Sequence, residues 1–336
     1  MGIGMVTLAF VGDVMLGRGV NEQIGRHPPE WFWGDVLPVL RSAGAVFANL
    51  ECAITRHRRP WTRTPKVFHF RANPQAVDVL RAANVRFVSL ANNHVLDFEE
   101  EGLLDTLRHL DEAGIAHAGA GRDEEEAAAA AFVEVAGLRC AVLAATDNEP
   151  PFAAGPCRPG THYLDIERDP QAAGRIGYRV RALREAGAFP IVLSLHWGPN
   201  MTTAPPRAFR RFARAAVDGG VEMIYGHSAH VFHGVEVYGG GLILYDTGDF
   251  LDDYAVDPHL RNDWSFVFLV DVHPLQGLQR MRMVPVQLEF ARVALARGPT
   301  FEAICARMAA RCAALGTQVR RVAEGLEVYI EGAVAV

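Results

Sequence analysis

Five compact groups of polar side chains each follow an apolar segment that is predicted to form a β-strand. Carboxylates, imidazoles and carboxamides make up these groups, and sulfur ligands are absent from them. In chain order the groups are Gly12-Asp13, Asn49-Leu50-Glu51, Asn92-Asn93-His94 with Asp97, His196-Trp197-Gly198, and Gly226-His227-Ser228-Ala229-His230. Imidazole together with carboxylate is the ligand set for zinc, manganese or iron. These residue types therefore predict a site for a divalent transition metal.

Each group also has an ordinary structural explanation when it is taken alone. Asp13 can cap a turn, and Asn92-Asn93 can form a turn that tolerates left-handed backbone. His196 can be a hydrogen-bonded core histidine, and His227 and His230 can cap the segment that follows them. The recurrence of metal-ligating residue types at five strand ends favours a common site over five separate structural roles.

The elements that hold these groups alternate between strand and helix in the first half of the chain. Strands are predicted over 6–11, 45–50 and 85–90. Helices are predicted over 100–113 and from Pro74, with Asn73 as the N-cap. The second half combines strands over 190–195 and 221–225 with antiparallel hairpins, one of them about Gly239-Gly240-Gly241. A last helix over about 300–315 precedes a short strand over 326–330.

This alternation predicts two mixed sheets flanked by helices, formed by residues 1–336 as a single domain with the C-terminal segment 300–331 packed on it. In open α/β sheets, ligands bind beyond the carboxyl ends of the strands. The five polar groups are therefore expected to converge in one crevice.

Composition and charge exclude several classes of protein. The chain has 336 residues, 50% of them hydrophobic, and a net charge of −6, which argues against nucleic acid as a main partner. We interpret the short basic run Arg56-His57-Arg58-Arg59 as a solvated loop. The five cysteines are scattered and lack a CxxC pair, which is typical of reduced thiols in a cytosolic protein.

Membrane attachment is not predicted. No segment reaches 18 uninterrupted apolar residues, and the apolar N-terminus lacks the basic region and cleavage site of a signal peptide. We interpret it as a first β-strand, and a cytoplasmic location without a membrane anchor is expected.

The motifs resemble those of a known family. The segments VGDVMLGRGV, ANLECAIT, SLANNHVLDF, SLHWG and YGHSAHVFHGVEVY, the last followed by LILYDTGDF, occur in order between about residues 6 and 290. Together they resemble the CapA-type poly-γ-glutamate capsule synthesis family, in the calcineurin-like metallophosphoesterase superfamily. Many such proteins begin with an anchor or export signal, whereas this sequence begins with the first predicted strand. The chain is therefore expected to resemble the soluble branch of the family.

The resemblance implies a fold, a cofactor and residue roles. The fold is a metallophosphoesterase-like, four-layer α/β/β/α sandwich of two mixed sheets, and the cofactor is one or two divalent ions of manganese, zinc or iron. By position, His94 would help to transfer protons. The metal ligands would be Asp13, Glu51 (or, less favoured, Asn49), Asn93, His196, His227 and His230.

Three departures from the superfamily pattern affect this site. Met15 stands where the first motif has a ligand histidine, and the second motif lacks its usual Gly-Asp-x-x-Asp form. His227 and His230 are separated by two residues, whereas the closing histidines of the superfamily are separated by one. These departures predict one firmly bound ion and a weaker second one.

The leading functional hypothesis is a metal-dependent hydrolase that acts on a phosphate ester or a glutamate-type amide and is linked to poly-γ-glutamate metabolism. A metal lowers the pKa of bound water and polarises the attacked oxygen. His94 and Asp97 are the candidate catalytic residues. Arg18, Lys66 and Arg71 are candidate anchors for an anionic small-molecule or poly-γ-glutamate-like substrate, although a surface charge explains Arg18 and Lys66 equally well.

An acidic cluster after the strand LILY is expected at the rim of the site. Asp249 is its best candidate for an inner role, whereas Asp252 and Asp253 are expected in a solvated loop. The alternative function is a non-catalytic accessory or polymer-binding protein of poly-γ-glutamate synthesis, in which Met15 marks a decayed site. The oligomeric state stays open.

Overall fold

Two mixed β-sheets and the helices that cover them form the part of the chain that the computed structural model describes, residues 4–330. Residue 331 of the predicted C-terminal segment and residues 1–3 of the apolar N-terminus lie outside it. The strands are β1 (Val6–Val14), β2 (Ala45–Leu50), β3 (Ala53–Ile54), β4 (Arg71–Ala72), β5 (Val85–Ser89), β6 (Ala116–Ala118), β7 (Ala120–Gly121), β8 (Ala131–Val135), β9 (Leu138–Thr146), β10 (Gly160–Thr161), β11 (Ile191–His196), β12 (Met223–His227), β13 (Val235–Tyr238), β14 (Gly241–Leu244), β15 (Asp249–Leu251), β16 (Trp264–His273), β17 (Gly277–Glu289), β18 (Arg292–Leu295), β19 (Arg320–Val322) and β20 (Gly325–Tyr329).

The helices connect and cover these strands. They are α1 (Arg18–Ile24), α2 (Leu37–Ser42), α3 (Ala76–Ala82), α4 (Glu99–Ala113), α5 (Glu124–Ala127), α6 (Ala172–Glu185), α7 (Arg207–Asp218) and α8 (Gly298–Ala314), with 3₁₀ helices at Pro29–Val36 and Pro150–Phe152. None of the helices within residues 4–330 combines the length and the apolarity needed to cross a membrane.

Both sheets mix parallel and antiparallel pairs, as predicted. The larger has the order β19-β20-β17-β16-β1-β2-β5-β6, with β15 joined to β1 and β18 to β17. Its pairs around β1, β2, β5 and β15 are parallel, apart from the antiparallel pair of β1 with β16. The smaller has the order β13-β14-β12-β11-β9-β8, with a parallel centre and an antiparallel hairpin at each edge.

Successive side chains along a strand point to opposite faces of its sheet, and this alternation produces the layers of the fold. Along β1, Leu8 and Phe10 face the smaller sheet, whereas Ala9 and Val11 face helices α2, α3 and α4. The smaller sheet buries its other face against α6 and α7, through side chains such as Leu193. The result is the predicted four-layer α/β/β/α sandwich.

The C-terminal segment joins this architecture. Helix α8 contributes Ile304 and Met308 to the core between the sheets, and β20 extends the larger sheet beside β17. We propose on that packing that the chain folds as a single domain.

The predicted elements differ from the structure at several places in the first hundred residues. The sequence pattern does not predict helices α1 and α2 or the 3₁₀ helix between them. Helix α3 begins at Ala76 with Gln75 as its N-cap, and not at Pro74 with Asn73 as the cap. The reason is that Ala76 and Val77 donate their N–H groups to carbonyls three residues back, so the first turn has 3₁₀ geometry.

The two sheets are tied together next to the polar strand ends. The hydroxyl of Tyr225, a buried residue of β12, lies between the backbone carbonyls of Val11 in β1 and Phe47 in β2. Because Tyr225 is two residues before His227 and Val11 two before Asp13, this contact aligns the polar ends of the two sheets.

The backbone of Gly248 lies directly against Gly12, so residue 12 must lack a side chain. A Cβ atom there would lie 2.0 Å from the Gly248 carbonyl oxygen, which accepts a hydrogen bond from the Asp13 N–H. We expect Gly12→Ala to lower the free energy of unfolding by about 3 kcal/mol because the backbone of two neighbouring segments must separate. Gly25→Ala is the matched control, since its Cβ would enter open space, and urea unfolding of both variants compares them. Equal stabilities would contradict this account.

Candidate metal centre

Polar side chains from both sheets meet at the carboxyl ends of the parallel strands. Asp13 lies near the end of β1, Glu51 directly follows β2, and His196 and His227 end β11 and β12. Asp249 opens β15 and is in register with Asp13. These five residues are at most 1% exposed to solvent. The fold thus gathers chemistry-bearing groups that are far apart in the sequence.

Two sets of potential metal ligands share one carboxylate. In each set the ligand atoms lie within 4.8 Å of one another; the first set is Asp13, Glu51 and His196, and the second is Asp13, His230 and Asp249. Each combines carboxylate oxygen with imidazole nitrogen, which suits zinc, manganese or iron. Asp13 stands where a ligand shared by two ions would stand.

Several oxygens here are buried without a hydrogen bond. Asp13 Oδ2, Glu51 Oε1, Asp249 Oδ2 and Asn93 Oδ1 have no hydrogen-bond partner among residues 4–330. A buried oxygen acceptor without a partner is costly, and the cost is larger for a carboxylate. Four such oxygens in one region fit a cation, so the residues present are compatible with the predicted metal.

The pKa values of the three carboxyl groups also fit a bound cation. Burial raises the pKa of Glu51 well above its ordinary value, and the neighbouring Asp13 charge adds to this effect. Burial also raises the pKa of Asp249, to about 6. Burial opposes ionisation of Asp13 too, but the His227 imidazole and other nearby histidines lower its pKa to about 2. A divalent cation would favour the charged form of all three carboxyls.

His196 is already in the form that a metal requires. Burial lowers the pKa of its imidazole to about 3, so the ring is neutral at pH 7. Its Nε2 atom lies 3.8 Å from Glu51 Oε1. A neutral imidazole nitrogen beside a carboxylate is a usual pair of ligands for a divalent transition metal.

His227 lies beside the centre but outside both ligand sets. Its Nδ1 atom is 3.4 Å from Asp13 Oδ1 and 3.2 Å from the Thr247 hydroxyl, and its Nε2 atom is 3.3 Å from the Ser194 hydroxyl. Both ring nitrogens therefore have polar neighbours within the protein. This arrangement favours a supporting contact to Asp13 over a ligand role.

His230 reaches the centre through unusual backbone geometry. Ser228 and His230 have φ angles of 108° and 60°, which non-glycine residues rarely adopt. His230 Nδ1 lies 2.7 Å from Asp249 Oδ1 and 3.7 Å from Asp13 Oδ2. The left-handed backbone thus brings an imidazole into the site despite the altered spacing of the two histidines, and backbone strain of this kind is concentrated at functional sites.

A histidine–aspartate pair lies beside this centre. His94 Nδ1 is 2.6 Å from Asp97 Oδ2, and the His94 ring stacks on Phe70 with 4.0 Å between ring centroids. Asp97 Oδ2 also accepts the Phe70 N–H, which fixes the carboxylate. Burial and the nearby Lys66 charge lower the pKa of His94 well below its ordinary value. One imidazole nitrogen is therefore held by Asp97, and the other is available to a substrate.

The pair opens into a pocket of 630 Å³. Its lining includes His94, Asn93, His230, Arg18 and Lys66. Of the proposed substrate anchors, Lys66 donates to the Asn93 carbonyl and lies 3.4 Å from Asp97 Oδ1, so its charge is used within the protein. Arg18 is 40% exposed and pairs with Asp253, and Arg71 lines a different depression.

Two residues that hold the ligand carboxylates, Asn49 and Tyr254, are not among the ligands that the sequence favours. Asn49 donates to Asp13 Oδ1 at 2.8 Å, and its own Oδ1 accepts from Asn92. Tyr254 donates to Glu51 Oε2 at 3.3 Å. The strand-end motif indicates Asn49, although it favours Glu51 as the ligand. Tyr254 has no signal of its own in the sequence.

The Met15 side chain packs in the core and contacts the backbone. It is fully buried in the core beneath the helices, and its sulfur accepts the Gly17 N–H at 3.0 Å. The sulfur is therefore directed toward the backbone of the following loop.

The acidic cluster differs from its prediction. The cluster is expected at the rim with an inner role favoured for Asp249, and Asp249 is fully buried in register with Asp13, because β15 pairs in parallel with β1. The prediction of a solvated loop for Asp252 and Asp253 is wrong. Asp252 is 5% exposed, and the Asp253 side chain is 6% exposed, paired with Arg18 and bonded to the Gly19 N–H.

Comparison of Asp249→Ala with Asp253→Ala tests this placement. We expect the Asp249 variant to lose metal affinity at least about tenfold, because a buried ligand oxygen and the partner of His230 disappear together. The Asp253 variant is expected to retain metal, because its contacts are to Arg18 and Gly19. Metal titration followed by elemental analysis compares them, and equal losses would count against the ranking.

Comparisons with known proteins agree with the motifs. Residues 7–254 match the family model described as "Bacterial capsule synthesis protein PGA_cap". A "Probable polyglutamine synthesis accessory protein" of Mycobacterium tuberculosis is 32% identical, over 86% of each chain. The "PGA biosynthesis protein CapA" of Bacillus subtilis is 30% identical, over 80% of this chain and 72% of that protein.

Solved structures give weaker similarity. A 5′-nucleotidase precursor from Thermus thermophilus aligns with a TM-score of 0.49 at 16% identity, over 94% of this chain and 60% of that one. An NAD nucleotidase from Haemophilus influenzae aligns with a TM-score of 0.46 at 14% identity, over 88% and 54%. The family model covers most of the chain, and the family resemblance predicted from the motifs is confirmed. The chain belongs to the PGA_cap family of bacterial capsule synthesis proteins.

Proposed function

We propose that this protein binds one or two divalent cations and hydrolyses a phosphate ester or a glutamate-type amide in poly-γ-glutamate metabolism. The observation that carries the proposal is the pair of ligand sets around Asp13. Each of their three carboxylates has one buried oxygen without a hydrogen-bond partner within residues 4–330. A polar cluster of this kind is expensive to bury unless a cation neutralises it.

The ligands for such a cation would be Asp13, Glu51 and His196 at one position, and Asp13, His230 and Asp249 at the other. Asn93 would add its side-chain oxygen. Manganese, zinc and iron all suit this set of oxygen and nitrogen donors. When bound, the cation supplies a polarised substrate oxygen and a more acidic water.

The chain's own residues supply the proton chemistry and the orientation. His94 would give a proton to the leaving group or take one from the attacking water, because Asp97 holds Nδ1 and leaves Nε2 for the substrate. Phe70 fixes the plane of the ring by stacking. Asn49 and Tyr254 hold Asp13 and Glu51, so the carboxylates are positioned before the substrate arrives.

The substrate class follows from the pocket and from the relatives. Arg18 presents a guanidinium at the pocket, over the rings of Phe70 and Tyr254, where it can bind a carboxylate or phosphate. Two relatives carry names that refer to PGA or polyglutamine synthesis. An anionic substrate related to poly-γ-glutamate is consistent with both observations.

The second candidate is a non-catalytic accessory protein that binds the polymer. The Mycobacterium tuberculosis relative is named an accessory protein, which favours this alternative. In that case the cation would hold the two sheets and a bound polymer together without turnover.

One experiment separates the two candidates. The protein is purified without added metal, its metal content is measured, and turnover of an aryl phosphate and of a γ-glutamyl anilide is followed. The hydrolase proposal expects at least one tightly bound transition metal and turnover of one of the probes that stops with a chelator. Stoichiometric metal without turnover of either probe, together with binding of poly-γ-glutamate, would support the accessory role. A metal-free protein would overturn the metal centre.

The cysteines support a reducing compartment. All five are free thiols, and four of them are buried. We therefore propose the cytoplasm as the location, and cell fractionation with N-terminal sequencing of the native protein tests it. A processed N-terminus or recovery with membranes would contradict the proposal.

A further inference from the structure

One segment of the chain is strongly basic although the whole protein is acidic. Between Cys52 and Val77 there are six arginine or lysine residues and neither aspartate nor glutamate, whereas the net charge of the chain is −6. Within this segment, Pro65, Lys66 and Phe70 also form part of the wall of the pocket beside the metal centre. The basic segment is therefore an extension of the candidate site.

Half of these cations are neutralised by the acidic residues around helix α4 and by Glu149. Arg59 pairs with Glu101, and Arg63 pairs with Glu99 and Glu100. Lys66 lies 3.4 Å from Asp97 and 3.6 Å from Glu149. Ion pairing within the protein therefore accounts for these three residues.

The remaining three cations share one depression. Arg56, Arg58 and Arg71 line a hollow of 290 Å³, whose wall also includes residues 73–75. Within the described range 4–330, none of the three guanidinium groups lies within 4.0 Å of a carboxylate oxygen. Like charges that are held together without a counter-ion repel one another, so an anion placed between them would be attracted.

Arg71 gives this depression a fixed floor. It is half-buried, its guanidinium donates toward the carbonyls of Arg56 and His57, and it lies 5.4 Å from the Phe98 ring centroid. Arg56 and Arg58 are exposed around it. A guanidinium held in place with donors to spare is suited to bind a carboxylate with two hydrogen bonds.

Consecutive residues of the chain line the depression and the candidate pocket. Phe70 stacks on His94 in the pocket, and Arg71, the next residue, lines the depression. The Arg71 backbone also packs against Gly17, which directly precedes the pocket residue Arg18. The depression and the pocket are therefore formed by adjacent parts of the chain.

We infer that Arg56, Arg58 and Arg71 form a second anion-binding subsite, which takes a carboxylate of an extended polycarboxylate chain held at the candidate site. The inference rests on the proposed function for the identity of the chain. A substrate with repeated carboxylates would occupy both subsites, whereas a substrate with a single anionic group would use only the pocket.

The test measures binding alone, so it does not depend on hydrolysis. Fluorescently labelled poly-γ-glutamate is titrated with the full chain and with the Arg56→Gln/Arg58→Gln double variant, with and without a chelator. We expect the double variant to bind the polymer about tenfold more weakly, as two partly exposed charge contacts are removed. The thermal midpoint of the double variant checks that it is folded.

Arg59→Gln is the matched control. Arg59 is exposed and belongs to the same basic run, but it pairs with Glu101 and does not line the depression. Its loss is expected to weaken binding less than about twofold. Equal weakening in both variants would show general charge attraction and would overturn the subsite. Tighter binding of single-stranded RNA of equal charge would overturn the polycarboxylate assignment. Polymer binding that persists in a protein without turnover would leave the subsite standing while the hydrolase proposal fails.

Discussion

Replacement of Asp13 by asparagine is expected to lower metal affinity more than about 100-fold and to abolish turnover. Asp13 belongs to both ligand sets, so its loss removes a charged ligand from each position at once. Asparagine has nearly the same shape, and the contact from Asn49 is with an oxygen that the variant can retain. The effect therefore reports the charge of residue 13 rather than a cavity.

Two partial variants sharpen the result. Glu51→Gln removes a ligand from the first set only, and Asp249→Asn from the second only. We expect each of these variants to lose up to one metal ion per protein molecule, whereas the Asp13→Asn variant is expected to contain no metal. Asp218→Asn, at an exposed position, serves as the control. Full metal content in the Asp13 variant, measured by elemental analysis on folded protein, would show that the centre is not where we place it.

His94→Ala is expected to keep its metal and to lose turnover by roughly 10²–10⁴-fold, the usual contribution of a general acid or base. The His94 side chain is 8% exposed at the pocket, and Asp97 holds its Nδ1 atom. Removal leaves a space between Phe70 and Asp97 that is shaped for an imidazole. Added imidazole should therefore restore part of the lost rate.

Metal content and rescue distinguish a proton-transfer role from a structural one. The control is His117→Ala, because His117 is partly exposed, is paired with Asp111 and does not line the pocket. Loss of metal in His94→Ala would assign His94 to the coordination of the cation. An unchanged rate would remove it from the mechanism.

Much of the fold is predictable because apolar alternation and turn residues are local signals. Strand β2 has the predicted bounds, and the Gly239-Gly240-Gly241 hairpin and helix α4 with its Gly114 end appear as expected. The polar strand ends are predictable for the same reason, since each directly follows a buried run. Convergence of Asp13 with His196 then follows from parallel pairing within each sheet and from the packing of the sheets.

The residue positions that the sequence does not predict depend on contacts between distant residues. The sequence favours an inner role for Asp249 within a cluster expected at the rim, but it cannot place Asp249 beside Asp13. Strand β15 is only three residues long and has no periodicity of its own, so its position comes from pairing with β1. His230 is predicted as a ligand, but the spacing of the two histidines cannot reveal the left-handed backbone at Ser228 and His230 that brings it to the site. The sequence assigns Asp253 to solvent because its partner, Arg18, is at the opposite end of the chain.

The link between the sheets at Tyr225 has a thermodynamic consequence. The first ligand set takes Asp13 and Glu51 from one sheet and His196 from the other, so a cation at that position would join the two halves of the sandwich where Tyr225 already joins them. Occupancy of the site and the folding equilibrium are then coupled by mass action: at a free metal concentration about 100 times the Kd, the native state gains about 2.7 kcal/mol. Metal availability in the cell would therefore set how long the protein survives unfolding and proteolysis, as well as whether it is active.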